Sequence, residues 1–448
     1  MAIKTIQKLI RLLKHKNKEL NNLIEHLHPR DLAELSEDLD EEQKKELFDL
    51  LNDEEAALII QYMEDFDQVS LFKVLEKDRG SSILKEMSSD EAVDLLSELP
   101  SEDAQELLNR IEDTEEIEGL LKFAEDTAGG IMTTEYLALP ENMPVEEAII
   151  RLREVAVEVE TIYYIYVIDE QNHLIGVLSL RELISAEDGT LLKEKMRTNI
   201  ITVDIELDQE EVARIVSRYD LLAVPVVDDK GNMRGIITVD DILDVLEEEA
   251  TEDIYRLVGT SEVKGTDLIN ASVTHVASKR LPWLIVCLFG GLFSGSVIGV
   301  FEETLQTIVT LAIFIPVIMD MGGNVGSQSS TVFVRGLGTG EIEANEVWKY
   351  FFREVKVGLM MGIICGLMIT LATSLWQQSY ILGLVVGIAM FSTVILAAVI
   401  GILIPLIFWR LGVDPAISAG PFVTTIKDVT GLLIYFSTAT LFMDMLPT

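Results

Sequence analysis

Apolar residues recur through the first part of the chain at a spacing of about 12 residues, the kind of repeat that marks stacked supersecondary units. Leu35, Leu47, Ile59, Leu71, Ile83, Leu95 and Leu107 occupy one phase. Leu39, Leu51, Met63, Leu75, Met87, Leu99 and Ile111 follow four residues later. Apolar pairs one helical turn apart, separated by acidic turn signals such as Asp53-Glu54-Glu55 and Ser101-Glu102-Asp103, predict short helices. None is large enough to bury its own stripe, so stacking of neighbours must make the core, as in a solenoid. Ahead of this array, Met1 to Leu20 is basic, with Ile3, Ile6, Leu9, Ile10 and Leu13 at helical spacing. It lacks the uninterrupted apolar core and small-residue cleavage site of a signal peptide. It reads as a helix with a solvated basic face, membrane-surface contact being the alternative.

Between residues 128 and 250 a second repeat appears, of about 60 residues. Met132-Thr133 is echoed by Met196-Arg197-Thr198, and Val145-Glu146-Glu147-Ala148 by Glu210-Glu211-Val212-Ala213. The run Tyr164–Asp169 matches Ala223–Asp228, and Leu174–Ser179 matches Met233–Thr238. Helical stretches alternating with short apolar strands predict two α/β units.

From residue 280 onward the pattern becomes continuously apolar. Five spans are expected, over about Leu281–Phe301, Leu305–Val334, Val355–Trp376, Ile381–Trp409 and Ala419–Leu446. Lys279 and Arg280, then Arg335, Lys349, Arg353 and Lys356, then Arg410 all fall at ends belonging to one side. Under the positive-inside rule that side is cytoplasmic, which puts the N-terminal half in the cytoplasm and the C-terminus outside.

Charge sharpens this division. The net charge is −40, yet residues 270–448 hold 8 Lys+Arg and 10 Asp+Glu, so −38 lies in residues 1–269. Such a polyanion repels nucleic acid and attracts cations. The two cysteines, Cys287 and Cys365, sit in apolar segments and support neither a disulfide framework nor a zinc site. The chain contains no nucleophile–base arrangement, Walker loop or metalloprotease motif, so an enzyme is not expected.

The candidate chemistry is carboxylate chemistry. Asp428 lies inside the last apolar segment, where a charge is costly unless it faces a wet cavity, a partner or an ion. Thr424, Thr425 and Thr430 add hydroxyls nearby, and Pro421 and Gly431 tolerate bends. The alternative is that Asp428 pairs with Lys427 and anchors a helix end, although adjacent helical residues do not share a face. The second span ends in Met319-Asp320-Met321-Gly322-Gly323-Asn324-Val325-Gly326-Ser327-Gln328-Ser329-Ser330-Thr331, rich in small and amide residues that expose polar groups to a path. Asp320 is a second pore ligand or an interfacial residue. Carboxylate, amide and carbonyl oxygens suit a hard, reluctantly dehydrated cation such as Mg2+. Asp241, Asp244, Glu247, Glu248, Glu249, Glu252 and Asp253 form the densest carboxylate run, on a helix leading toward the membrane. Asp241, Asp244 and Glu248 share a face, so they repel unless a divalent cation relieves them or solvent screens them.

Two resemblances carry these motifs further. The repeat at 128–250, with paired Gly-x-x-[Ser/Thr]-x-x-acid turns at Gly176, Ser179, Glu182 and Gly235, Thr238, Asp241, resembles a pair of CBS domains. In that family such turns can hold a ribose and phosphates at a helix N-terminus, which implies ATP as a ligand near Tyr164, Ser179, Arg181 and Glu182; plain helix capping is the alternative. The order of parts resembles the MgtE family of magnesium channels and transporters. Gly322-Gly323-Asn324, Gly412-Val413-Asp414-Pro415 and Asp428-Val429-Thr430-Gly431 carry that resemblance. It implies an acidic helical-repeat N domain (1–127), tandem CBS domains (128–250), a linking or plug helix (251–279) and a five-helix pore domain (280–448). It further implies a homodimer in the plasma membrane, with spans two and five lining one pore. Asp428 would be the principal pore carboxylate, with Asn324, Thr424 and Thr425 beside it. Regulatory Mg2+ would bind Asp90, Asp94, Gly130, Asp208, Glu210, Asp220, Asp241, Asp244, Glu249, Glu252 and Asp253 and hold the pore shut. Lys427, Ser327 and Gly420 depart from the family pattern. A carrier for Co2+ or Mn2+, or a membrane-anchored metal or nucleotide sensor that moves no ion, are the alternative functions.

Overall fold

A computed structural model describes residues 26–446 apart from 38, 112–113, 157–158, 259, 261–271 and 343–344. The basic segment 1–20 and much of the expected linking segment lie outside the described residues. Two compact units divide between Glu248 and Glu249.

The first unit begins with eight short helices: α1 (Pro29–Glu37), α2 (Glu41–Phe48), α3 (Asp53–Ile60), α4 (Asp65–Val74), α5 (Lys77–Lys85), α6 (Ser89–Glu98), α7 (Ser101–Leu108) and α8 (Glu115–Leu120). The acidic punctuation between apolar pairs acts as caps. Asp40 accepts from the Gln43 amide (2.9 Å), and Asn52 with Glu55 forms a reciprocal capping box on α3. Each such cap is worth about 1 kcal/mol. Both phases of the 12-residue repeat are buried in one continuous core from Leu32 to Leu107, with Ile111 packed at its edge. Each helix from α1 to α5 packs on the next but one. Ion pairs Lys44–Asp67, Arg79–Asp53 and Lys77–Asp103 (2.6 Å) tie the stack at its surface.

The second repeat forms two three-stranded sheets of identical topology. In the first, β1 (Ala138–Pro140) lies parallel to β2 (Tyr164–Ile168), which is antiparallel to β3 (Leu174–Ser179). In the second, β4 (Val203–Asp204), β5 (Ala223–Val227) and β6 (Met233–Thr238) repeat that order, and both antiparallel pairs carry a register shift at the same place. Helices α9 (Val145–Val155), α10 (Leu180–Ile184), α11 (Leu192–Lys195), α12 (Gln209–Tyr219) and α13 (Val239–Leu257) complete the two copies. The repeated methionines explain the repeated glycines by a crossed arrangement. Thr133, leading into the first copy, bridges to Ile236 of the second; Arg197, leading into the second, bridges to Val177 of the first. Met132 then lies over Gly235 and Met196 over Gly176, where a Cβ would strike the methionine side chain. Each copy therefore closes the core of the other.

In the second unit, four helical stretches are long and apolar enough to cross a bilayer: α14 (Val273–Val300); Val309–Gly338, a 3-10 turn running into α16 (Ile315–Gly338); α17 (Val347–Trp376); and α18 (Tyr380–Arg410). A short helix, α15 (Glu302–Thr307), precedes that turn. The fifth expected span is only partly matched. The segment folds as α19 (Ala416–Ala419) and α20 (Pro421–Leu441), then a 3-10 turn at Met443–Met445 rather than one helix to Leu446. Lys427, Asp428 and a run of hydroxyls keep α20 below the apolarity of the other four. Its 21 residues nevertheless reach ~30 Å, about the thickness of a hydrocarbon core. α20 packs against α14, α16 and α18, burying Val423, Leu432, Tyr435, Phe436 and Ala439, and the Tyr435 hydroxyl donates to the Leu311 carbonyl (2.8 Å). α17 and α18 approach closely where Gly362 and Gly366 meet the backbone of Phe391 and Gly387. Leu284, Leu288, Phe289 and Leu292 of α14 and Leu367, Met368, Leu371 and Leu375 of α17 point outward, as lipid-facing side chains do.

Candidate functional sites

The intramembrane carboxylate sits on α20. Thr424 and Thr425 lie four and three residues before Asp428, one turn away on the same face. Asp428 and both threonines are half-buried. The Thr424 hydroxyl donates to the Gly420 carbonyl (2.9 Å), leaving its oxygen lone pairs available, and Thr425 packs into the notch left by Gly290 of α14. On α16, Asn324 donates to Asp320 (3.2 Å), so the amide and the second intramembrane carboxylate act together.

The Lys427 anchor reading fails on geometry. Among the described residues no ion pair joins Lys427 to Asp428. The lysine turns the other way, its stem crossing Gly326 and its ammonium lying over Gly323 of α16, 2.9 Å from where a Cβ would stand. Only 6% of Lys427 is exposed. Gly323 of the Gly322-Gly323-Asn324 stretch thus makes room for a lysine, while Gly322 faces Thr393, a division not legible in the motif itself.

In the first unit, Asp90 and Asp94 of α6 and Asp241 and Asp244 of α13 line one cavity of about 130 Å3, together with Glu91, Glu98, Glu125 and Glu248. Burial is the dominant force on these groups. Asp90 is 7% exposed, its Oδ1 finds no hydrogen-bond partner among the described residues, and burial raises its pKa. Burial, reinforced by Asp90, Asp94, Asp241 and Asp244, pushes Glu91 up to about 9. Burial and the Asp90 charge push Asp241 up to about 8, against the opposing hydrogen bonds from Thr238. Asp244 is raised by burial and then by Glu247. The cavity therefore prefers protons or another cation to bare carboxylates. Gly130 lies near it in chain order, beside the lining residue Ile131, where a Cβ would collide with the Glu125 backbone.

Other sequence-predicted ligands are placed differently. Asp208 caps α12 by accepting from the Glu210 amide (2.9 Å), Glu210 pairs with Arg214 (2.8 Å), and Asp220 takes a left-handed conformation at the end of that helix. Glu249, Glu252 and Asp253 continue α13 in the second unit. There Arg256 pairs with both Glu252 and Asp414, and Asp414 also accepts from the Ala416 amide at the start of α19 (2.7 Å). Among the described residues no three His, Cys, Asp or Glu side chains converge closely enough to hold a bare metal ion. The carboxylate-rich lining and the orphaned Asp90 Oδ1 fit a hydrated Mg2+, which keeps several of its waters.

At the nucleotide turn, Tyr164 and Ser179 are register partners at one sheet corner, with Arg181 exposed on α10. Both Gly-x-x-[Ser/Thr]-x-x-acid turns cap helices. Ser179 donates to Glu182 (2.8 Å) and accepts from the Glu182 amide, and Thr238 donates to Asp241 (2.6 Å). Glu182 is further held by Arg197 (2.7 Å), a partner the motif did not announce. The capping hydrogen bonds and Arg197 hold its carboxyl below the usual range, against partial burial.

An apolar helical bundle with intramembrane carboxylates, joined to an α/β pair and an acidic helical array, fits a membrane cation transporter. A profile described as "Divalent cation transporter" matches residues 315–438, that of the MgtE intracellular N domain residues 27–126, and that of the CBS domain residues 128–189 and 192–248. The chain is 41% identical over 335 residues to the magnesium transporter MgtE of Bacillus subtilis, covering 75% of this chain and 73% of the relative. It is 43% identical over 331 residues to that of Thermus thermophilus, covering 73% of each. Among solved structures, the cytosolic domain of the Mg2+ channel MgtE in complex with ATP aligns with 40% identity and a TM-score of 0.51, over 54% of this chain and 99% of that one. The soluble part of a magnesium transporter aligns with 36% identity and a TM-score of 0.53, over 56% and 100%. The chain belongs to the MgtE family.

Proposed function

We propose that this protein takes up Mg2+ across the plasma membrane through a path lined by α16 and α20 of a homodimer, with Asp428 as its principal carboxylate. The supporting observation is the half-buried Asp428 on a helix packed among apolar spans, with Thr424 and Thr425 one turn away on its face. Two copies of Asp428 facing one path would offset the desolvation of an entering divalent ion, and hydroxyl and amide oxygens would replace part of its water shell. Relatives named as magnesium transporters favour Mg2+ over Co2+ or Mn2+ as cargo, and transport over a sensor that moves no ion. The basic loops orient the soluble half to the cytoplasm and the C-terminus outward.

The cavity between α6 and α13 is the regulatory element of this reading. Asp90, Asp94, Asp241 and Asp244 would hold a hydrated Mg2+ there, which would supply positive charge and ordered water. Asp90, Asp94, Asp241 and Asp244 then stay together, and without that compensation they repel and part. Gly130, Asp208, Glu210, Asp220, Glu249, Glu252 and Asp253 complete the proposed regulatory set, and boundaries at 127, 250 and 279 separate the domains. ATP is assigned to the corner formed by Tyr164, Ser179, Arg181 and Glu182, supported by the relative crystallised with ATP.

Mg2+ uptake into proteoliposomes tests the central claim. The unmodified protein should conduct, and Asp428→Asn should lose at least about 100-fold of its flux while remaining folded. Unchanged flux through folded Asp428→Asn overturns the pore assignment.

A further inference from the structure

The cation buried within the membrane unit belongs to the protein itself. Lys427 is 6% exposed on a helix packed against α14, α16 and α18. Its Cδ comes within 3.4 Å, and its Nζ within 2.9 Å, of the positions that Cβ atoms on Gly326 and Gly323 would take. No ion pair engages it among the described residues, and Asp428 is its neighbour in sequence. Asp320, Gly323 and Asn324 stand at i, i+3 and i+4 of α16, so the ammonium lies along the face that carries Asp320 and its amide partner. Burying a lysine this way is costly, and cheaper residues fill a glycine groove.

We propose that Lys427 is a specificity-determining residue of the conduction path: a tethered ammonium that weakens the grip of Asp428 and Asp320 on a divalent cation so that the ion can leave. This rests on the reading of Asp428 as a pore residue. The Coulomb energy between a fixed charge and a permeating ion scales with the ion's valence, so the lysine opposes Mg2+ twice as strongly as a monovalent ion at the same point. A path of carboxylates alone would hold Mg2+ tightly and release it slowly; conduction needs binding favourable enough to enter and weak enough to leave. The Gly323 notch keeps the charge beside the path rather than across it.

The test is Mg2+ flux into proteoliposomes holding the full-length protein, measured against Mg2+ concentration. Lys427→Met keeps the stem and removes the charge. Its half-saturating Mg2+ should fall at least about tenfold and its maximal flux should fall with it, while Lys427→Arg stays within about twofold of the unmodified protein. Inhibition of that flux by K+ should change by a smaller factor than the Mg2+ half-saturation. Gly323→Ala, which leaves the lysine but displaces its tip, should lower half-saturation without loss of fold, and it reads out the same effect if Lys427→Met does not fold. Half-saturation unchanged or raised in a folded variant overturns the proposal. If that occurs while Asp428→Asn is inactive, only the lysine's role falls; if Asp428→Asn conducts normally, the pore reading falls instead.

Discussion

Arg256 near the end of α13 is ion-paired with Asp414 in the segment between α18 and α19, 158 residues further on. The guanidinium also holds Glu252 one turn back on its own helix. One guanidinium thus holds together two carboxylates of this unit, one on α13 and one before α19. With about 30% of each side chain exposed, the pair is worth about 1 kcal/mol. Arg256→Ala should therefore make shutdown by internal Mg2+ require roughly fivefold more of the ion, and the swapped pair Arg256→Asp with Asp414→Arg should recover part of it. Flux at graded internal Mg2+ checks this; an unaltered inhibition curve removes Arg256 from the gate.

The acidic cavity predicts a pH dependence of defined sign. Asp241 and Glu91 titrate near 8 and 9 when folded, far above ordinary carboxylates. Acids that hold protons more tightly folded than unfolded contribute stability that is complete below about pH 4 and lost as pH rises through 8 to 9. Without divalent ions, the unfolding temperature of the first unit's transition should fall across that window. Mg2+ should restore it most at the alkaline end, where protons no longer compete.

Mg2+ bound only to the closed arrangement stabilises it by about 2.7 kcal/mol at a hundredfold excess over Kd. Protease digestion of the soluble half should accordingly be slow in millimolar Mg2+ and fast in chelator. Neutralising Asp90, Asp94, Asp241 and Asp244 together should abolish the Mg2+ part of that difference. Equal digestion of the unmodified protein in both conditions would mean that the cavity is merely a solvated acidic face.

Glu182 is occupied by the cap at Ser179 and by Arg197. Glu182→Ala should cost about 1 kcal/mol of local stability through the lost cap. If the same corner holds the nucleotide, ATP affinity measured calorimetrically on the full-length protein should fall more than fivefold. A stability loss with ATP binding untouched assigns the turn to capping alone.

Gly235→Val should be the most damaging single change in the CBS pair. Even a Cβ at this position would stand 2.6 Å from the Thr133 carbonyl and 2.8 Å from the Met132 sulfur. A loss of about 3 kcal/mol follows for overpacking against backbone. A thermal shift of less than a few degrees would contradict the crossed packing.

Periodicity alone determined the helical array, the twin α/β copies and the apolar membrane half. Burial of a stripe at spacing 12, pairing of strands at spacing 60 and the length of an apolar run are local constraints on a chain. The same logic marked Asp428, since a carboxylate in an apolar run is anomalous wherever the helix packs. Which carboxylates meet was not local. Asp90 and Asp241 come from segments 151 residues apart and share a cavity only because α6 packs against the second CBS copy. Asp208 and Glu210, no less acidic in sequence, stand elsewhere, at the start of α12, one capping it and the other paired with Arg214. Pairing of Lys427 with Asp428 was the alternative in sequence, and helix geometry already spoke against it. The helix itself points the lysine about 100° away from Asp428; only the packing of α20 on α16 decided that it lies over a glycine, whose missing side chain is the space it fills.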